Sequence, residues 1–348
     1  MTLTKEQEYI LYQIVRDIKC GKKEVKLAGY AGTGKTFLAK YITKFFSNFA
    51  VCAFTGKATN VLNQRGIEAT TIHRLIYEPV VVDDIMTFSI KNNLECSGII
   101  VDEASMVSKE LYHDLKFFNL PIIFIGDHGQ LEPVGTEFNL MSSPDYRLET
   151  IHRNAGEIAQ FAQWIRMGKN PFAFHGDNSQ VEFITKQDVT IEDYANADQV
   201  ICAFNATRVQ INSNIRKHLG YDGTINTGEK IICIQNNQKL RLFNGMQGYV
   251  KRLRKKDQLD FETVDYVYKN INYDKEEFGK EKSIVQWQPD MPIPFHYAYC
   301  VTAHKAQGSE FDEVFVIEQR CKQWDHRRWA YTAASRAKKR LKWLLCEY

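Results

Sequence analysis

The run Gly29-Tyr30-Ala31-Gly32-Thr33-Gly34-Lys35-Thr36 has the spacing G-x-x-x-x-G-K-[ST]. Glycines at 32 and 34 let successive backbone amides turn inward onto phosphate oxygens, and a helix starting at Lys35 adds the partial positive charge of its N-terminus. Lys35 supplies a mobile cation, and the Thr36 hydroxyl is a hard oxygen suited to Mg²⁺. A glycine turn without a ligand is the plain alternative. The context favours phosphate: a strand-like Val25 to Ala28 precedes the run, and Leu38, Ile42, Phe45 and Phe46 mark one helix face after it. Gly29, Ala31, Gly32, Thr33, Gly34, Lys35 and Thr36 are therefore the candidate nucleotide-binding residues.

Two further strand-like runs end in groups that such a site needs. Ile99-Ile100-Val101 is followed by Asp102-Glu103. At the C-terminal end of a strand, one carboxylate can hold a metal and its neighbour can orient water at a γ-phosphate. On this reading Asp102, with Thr36, serves Mg²⁺ and Glu103 serves the water. Taken alone, many strands simply end in solvated acids. Ile122 to Ile125 runs into Gly126-Asp127-His128-Gly129-Gln130-Leu131, which places Gln130 as a candidate sensor of the γ-phosphate. A capped turn is the alternative there, and the order phosphate loop, acidic pair, glutamine favours the sensor.

Elements must bring these groups together. Short β-branched runs (Val25 to Ala28, Phe49 to Phe54, Gly98 to Val101, Ile122 to Ile125) alternate with amphipathic helical stretches, the pattern of a parallel sheet wrapped by helices. Between Arg74 and Ser97 two strand-like pieces flank Asp83 and Asp84, which predicts an inserted hairpin. A second series starts near Tyr146, with strands expected at Val200 to Phe204, Tyr297 to Val301 and Val314 to Ile317. From about Lys230 to Trp287 it is interrupted by short β runs punctuated at Asn244-Gly245 and Gly248, as in a small inserted β-barrel. The fold class expected is thus α/β: a first domain over 1–145 with a hairpin at about 74–97, a second over 146–229 and 288–348, and an SH3- or OB-like barrel over 230–287.

With 348 residues, 44% of them apolar, the chain can bury more than one core. Its net charge of +3 suits a nucleic-acid groove without proving one. The first helix carries Ile10, Leu11, Ile14 and Ile18 among charges and reads as neither an export signal nor a membrane span. Eight cysteines lie scattered without zinc-ligand spacing, as reduced core thiols of a cytoplasmic protein do.

In their order, these motifs resemble those of the superfamily 1B helicases, in particular the RecD-like and Dda-like phage branch. LTKEQ (Leu3 to Gln7) resembles an adenine-reading Q motif, GYAGTGKT motif I, AFTGKAT (Ala53 to Thr59) motif Ia and TTIHRL (Thr70 to Leu75) motif Ib. VDEAS, GDHGQLEPVG and LETIHRN (Leu148 to Asn154) resemble motifs II, III and IV; YCVTAHKAQGSEFDEV (Tyr299 to Val314) and YTAASRAKKRL (Tyr331 to Leu341) resemble V and VI. The resemblance implies two RecA-like domains, ATP with Mg²⁺ as cofactor, and ATP hydrolysis coupled to 5′ to 3′ movement on single-stranded DNA. It also implies that Gln7 contacts adenine, Glu310 lies near the ribose, and Arg153 and Arg336 reach the γ-phosphate. Thr55, Lys57, His73, Asn205, Thr302, His304 and Lys305 match positions that touch the DNA strand. Ala306 stands where serine is frequent, and Ser335 where threonine is.

Phe88 in the hairpin is a candidate wedge for the last base pair of a fork; an inward-packed phenylalanine is the alternative. Lys251, Arg252, Arg254, Lys255 and Lys256 in the barrel form either a phosphate-holding cluster or a solvated hairpin face. Forked duplex DNA joins single-stranded DNA as an expected substrate, with a single-strand-binding protein or replisome component as a further partner. A monomer in the cytoplasm, that of the host cell if phage-encoded, completes the expectation. Competing functions are a translocase that displaces proteins or anneals strands with little unwinding, a P-loop kinase for a small molecule, and a nucleotide-gated DNA-binding module without turnover.

Overall fold

Thr4 starts the first helix, α1 (Lys5–Lys19), through a capping box in which its hydroxyl accepts from the Gln7 amide while the Gln7 side chain accepts from Thr4 N. The helix buries Ile10, Leu11, Ile14 and Ile18 as its spacing predicts. The computed structural model describes residues 2–345 except 55, 83–84, 132–137, 151–155, 178, 236, 238–239, 241, 243, 264–265, 283–290 and 323; the side chains of 57, 79–82 and 85–88 also lie outside the description. The chain divides into two compact units, Met1–Ala159 and Gln160–Tyr348.

The first unit continues with β1 (Glu24–Gly29), α2 (Lys35–Phe45), β2 (Phe49–Ala53), α3 (Gly56–Gln64), β3 (Thr70–Thr71), α4 (Ile72–Ile76), β4 (Tyr77–Val82), β5 (Ile85–Ile90), β6 (Gly98–Asp102), α5 (Lys109–Phe117), β7 (Ile122–Gly126) and β8 (Tyr146–Leu148). Six of the strands form one parallel sheet in the order β3-β2-β6-β7-β1-β8. Its central strands are rich in β-branched residues because both faces are covered: β6 and β7 are buried along their whole length. β4 and β5 pair as the expected antiparallel hairpin, with Pro79 opposite Phe88.

Helix α6 (Gly156–Arg166) runs across the division at Ala159, and in the second unit β9 (Val181–Ile184), α7 (Ile191–Ala195), β10 (Gln199–Cys202) and α8 (Asn205–His218) lead into β11 (Lys230–Cys233), β12 (Gln247–Arg254), β13 (Gln258–Glu262), β14 (Val267–Asp274) and β15 (Ile293–Tyr297). These last five strands close into a barrel around Val250, Leu259, Phe261, Ile271 and Phe295. The chain then forms β16 (Cys300–Thr302), α9 (Ala303–Ala306), β17 (Phe311–Ile317), α10 (His326–Ala334) and β18 (Ala337–Leu344). A second parallel sheet results, ordered β16-β10-β17-β18-β9. Two RecA-like sheets, a hairpin and a small barrel are thus the fold class that the sequence predicts.

Three local expectations are corrected. The strand at Tyr146–Leu148, read as the start of a second series, instead pairs in parallel with β1 and completes the first sheet, so the first unit runs past 145. The single strand expected over Tyr297 to Val301 is two: β15 closes the barrel and β16 belongs to the second sheet, so the barrel extends beyond 287. Phe45 is 54% exposed in the last turn of α2, and Phe46 turns back to stack on Phe49 at a ring separation of 4.7 Å.

Candidate nucleotide site and strand-contact residues

The strand order of the first sheet puts β7 between β6 and β1, so the tips of all three adjoin at their C-terminal ends. Gly29 closes β1, and a methyl group there would meet Thr33 Oγ1 at 2.6 Å, so the close approach of the loop favours glycine at this position. Gly32 and Gly34 both adopt φ 81°, the left-handed region that glycine enters without strain. The loop is pinned by Thr33 Oγ1 donating to Tyr30 O at 2.9 Å, and its buried Thr33 carbonyl accepts from Gln7 Nε2 at 3.2 Å. Gly34 ends it as the N-cap of α2, leaving that helix without a side-chain cap. Amides at this N-terminus are the donors that an anion would take.

Lys35 Nζ donates to Gly29 O at 2.8 Å and Tyr30 O at 2.9 Å, and it lies 3.8 Å from the fully buried carboxylate of Asp127. Asp127 follows directly on β7. Its Oδ1 accepts from Gly129 N at 2.9 Å and its Oδ2 from Gln130 Nε2 at 3.2 Å. Asp127 therefore joins the candidate lysine to the candidate sensor. Beside it, the Tyr30 ring packs on His128 with centroids 4.4 Å apart. Sequence reasoning passed over Asp127 and His128, because only strand order reveals that the β7 tip adjoins the glycine loop. The available signal was an acid immediately after an apolar strand, three residues before a glutamine.

Asp102 ends β6 and is 8% exposed. Burial pushes its carboxyl above the usual carboxylate range, while the Glu103 amide, donating at 3.0 Å, and the charge of Lys35 pull the other way. Glu103 sits at φ 54°, a conformation that costs a non-glycine residue about 1–2 kcal/mol. Thr36 lies in the first turn of α2. Thus Lys35, Thr36, Asp102, Glu103 and Gln130 fall at one end of one sheet. Gln7 is fixed from below: its Oε1 accepts from Thr4 N and its Nε2 reaches the loop. Among the first-unit strand-contact candidates, Thr55 lies outside the described residues and Lys57 falls in the first turn of α3. His73 on α4 packs against Tyr77 and Phe54, and burial lowers its pKa. The wedge candidate Phe88 lies in β5, its side chain outside the described set.

In the second unit Cys202 of β10 pairs with Thr302 of β16. Asn205, three residues past the first, and Thr302, His304 and Lys305 consequently gather at the C-terminal ends of two neighbouring strands. Thr302 is buried; burial lowers the pKa of His304 and of Lys305, whose Nζ donates to Asn244 Oδ1 of the barrel at 2.6 Å. Arg336 is held instead at the segment that leads into β17, where its carbonyl accepts from Phe311 N at 2.9 Å and Glu310 is the residue between its partners Ser309 and Phe311. Its Nη1 donates to Ser309 O at 3.2 Å, its Nε to Thr332 O at 3.0 Å and its Nη2 to Ser335 Oγ at 2.9 Å. Arg153 lies outside the described residues. In the barrel's basic run, Arg254 makes a two-pronged bond to Asp260, each contact 2.7 Å, and Lys251 meets Glu262 at 2.6 Å. These pairs fit a solvated hairpin face. Cys52, Cys202, Cys233 and Cys300 are buried free thiols, and no described helix is long and apolar enough to cross a membrane.

Comparison with known proteins adds kinship to this geometry. The model of an AAA domain family matches residues 2–186, and that of a UvrD-like helicase C-terminal domain matches 297–343. The ATP-dependent DNA helicase dda of Enterobacteria phage T4 is 28% identical over 251 residues, 62% of this chain and 57% of that protein. The chain spans between 30% and 57% of the length of the curated relatives it matches. Among solved structures, one on DNA unwinding at forked duplex DNA by two coordinating Pif1 helicases superposes with TM-score 0.64 at 18% identity, covering 100% of this chain and 95% of that one. Bacteroides Pif1 bound to single-stranded DNA gives TM-score 0.62 at 19% identity with the same coverage. At these identities the likeness is one of fold.

Proposed function

The chain belongs to the AAA domain family, and on that premise we propose that it is a superfamily 1B helicase that hydrolyses ATP to move 5′ to 3′ along single-stranded DNA and to unwind duplex at a fork. The observation that supports this most is the meeting of Lys35, Asp102, Asp127 and Gln130 at the ends of adjacent parallel strands, where doubly wound sheets place their ligands.

In this reading Gly29, Ala31, Gly32, Thr33 and Gly34 cradle the phosphates. Lys35 exchanges the carbonyls of Gly29 and Tyr30 for phosphate oxygens, with Asp127 holding its ammonium in register. Thr36 and Asp102 would hold Mg²⁺. The fit rests on their hard oxygen donors and on a buried carboxylate that its surroundings leave short of cationic compensation. When bound, the ion neutralises charge on the phosphate oxygens. Glu103 orients the attacking water, and Gln130 reads the γ-phosphate through its amide. Gln7 contacts adenine while steadying the loop at Thr33, and Glu310 lies by the ribose. Arg153 and Arg336 supply cations to the transferring phosphoryl group, a contribution worth about 10³- to 10⁵-fold in rate for such arginines. To do so, Arg336 releases its bonds to Ser309, Thr332 and Ser335.

Thr55, Lys57, His73, Asn205, Thr302, His304 and Lys305 hold the strand by its backbone, which suits a motor that must pass over any sequence. The hairpin acts as the fork-separating element. We assign the first unit the role of the first motor domain with the hairpin as its insertion, and the second unit that of the second motor domain carrying the barrel. The protein acts as a monomer in the cytoplasm, that of the host cell if phage-encoded, with a single-strand-binding protein or replisome component as a further partner.

Steady-state ATP turnover with and without oligo(dT) tests the reading. Stimulation of tenfold or more by the oligonucleotide is expected, about the scale of one well-placed interaction or larger. Turnover indifferent to DNA would point to small-molecule phosphoryl transfer instead.

A further inference from the structure

Arg208, in the second turn of α8, is 5% exposed, and desolvation lowers its pKa. A buried guanidinium needs acceptors, and those it has join two parts of the second unit. Its Nε donates to Asn205 Oδ1 at 3.1 Å; its Nη2 donates to the carbonyls of Lys280, at 2.5 Å, and Glu281, at 3.4 Å, which follow β14. Farther along the same helix, Asn212 bonds both Cys300 O and Cys300 N. Arg216 then grips the fully buried Glu229 just before β11 at 2.5 Å and lies over the Tyr297 ring of β15 at 4.2 Å. Helix α8 is thus fastened to the barrel near both of its ends.

The chemistry at Asn205 gives this a direction. An arginine only donates hydrogen bonds, so the atom of Asn205 facing Arg208 is the acceptor Oδ1, and the amide NH₂ points the other way. Phosphate oxygens only accept. An asparagine held in this orientation presents donors to a phosphate; one free to turn over would present its oxygen half the time.

We propose that Arg208 is a positioning residue for strand binding: it sets the Asn205 amide with its NH₂ outward and ties that grip to the barrel at Lys280 and Glu281. The inference rests on reading Asn205 as a strand contact. Arg208→Ala is expected to raise the oligo(dT) concentration that half-saturates ATP turnover about tenfold, the effect of losing one buried hydrogen bond to a charged group. Turnover without DNA stays unchanged. The effect should pass through Asn205, so Asn205→Ala and the Asn205→Ala/Arg208→Ala double variant should bind oligo(dT) equally weakly. Arg208→Lys, which keeps the charge but can reach fewer acceptors, should fall between wild type and Arg208→Ala. It also carries the test if the alanine variant does not fold, as judged by its thermal transition. Equal half-saturation in wild type and both Arg208 variants, or additive losses in the double variant, would overturn the inference while leaving the motor reading intact. Wild-type turnover that ignores oligo(dT) would overturn both.

Discussion

At the scale of residues, the candidate site is held together by charges that are uncomfortable where they stand. Asp102 is an acid whose carboxyl burial pushes above its ordinary range. The folded state therefore binds a proton more readily than the unfolded chain does, and stability falls as pH rises from the ordinary carboxylate range through the raised value. Above that value the penalty is complete. Asp102→Asn should then raise the melting temperature at neutral pH, with the gain shrinking as pH drops through the carboxylate range, and it should abolish ATP turnover; a melting temperature that falls at neutral pH would show that the carboxylate is stabilised rather than burdened. Asp127 differs, since its two oxygens serve Lys35, Gly129 and Gln130 together. Asp127→Asn removes the charge that faces Lys35 and should slow turnover about 10²-fold, as loss of one preorganised electrostatic contact does. Turnover within twofold of wild type would mean that Lys35 needs no such orientation. The sequence announced Lys35 because its signal is local, a spacing of glycines. Asp127 was silent because its importance arises only from pairing between strands far apart in the chain.

Elements carry their own tests. The hairpin β4–β5 is described by its backbone register, and the unwinding role proposed for it turns on Phe88. Phe88→Ala should lower strand separation while sparing ATP turnover stimulated by single-stranded DNA; equal loss of both would place the phenylalanine in the core instead. In the barrel, burial and the neighbouring Arg208, Lys305 and Lys280 depress the pKa of His296 to about 4, only partly opposed by Glu277. The unfolded chain takes up the proton first, near 6.5, so stability conferred by the neutral ring is intact above that pH. It is lost as pH falls from there toward 4. An acid titration followed by circular dichroism should show His296→Gln less sensitive than wild type across this window, and coincident curves would remove His296 as the cause.

Element boundaries show where sequence patterns stop being informative. The central strands β6 and β7 were legible because burial on both faces demands unbroken apolar runs. The edge strand β8 has only Leu148 fully inside, so nothing in its composition separates it from a linker. β15 and β16 are joined by Ala298 and Tyr299 alone, and an apolar run through both sheets reads as one strand although its halves serve different cores. Arg336 was legible as a motif residue, whereas its present partners Ser309, Thr332 and Ser335 are set by tertiary packing.

At the scale of the whole molecule, the proposed function gives each unit part of one cycle. The first holds the nucleotide candidates at the tips of β1, β6 and β7, and the second gathers its strand-contact candidates at the tips of β10 and β16. In the proposed function, turnover at the first group is useful only if it changes the grip of the second on DNA. The most direct measurement is strand separation with ATP on two partial duplexes identical but for a single-stranded tail at the 5′ or the 3′ end. The account predicts that the duplex with the 5′ tail is separated, that the one with the 3′ tail is not, and that Lys35→Ala separates neither. Separation from the 3′ tail, or separation that survives Lys35→Ala, would contradict it.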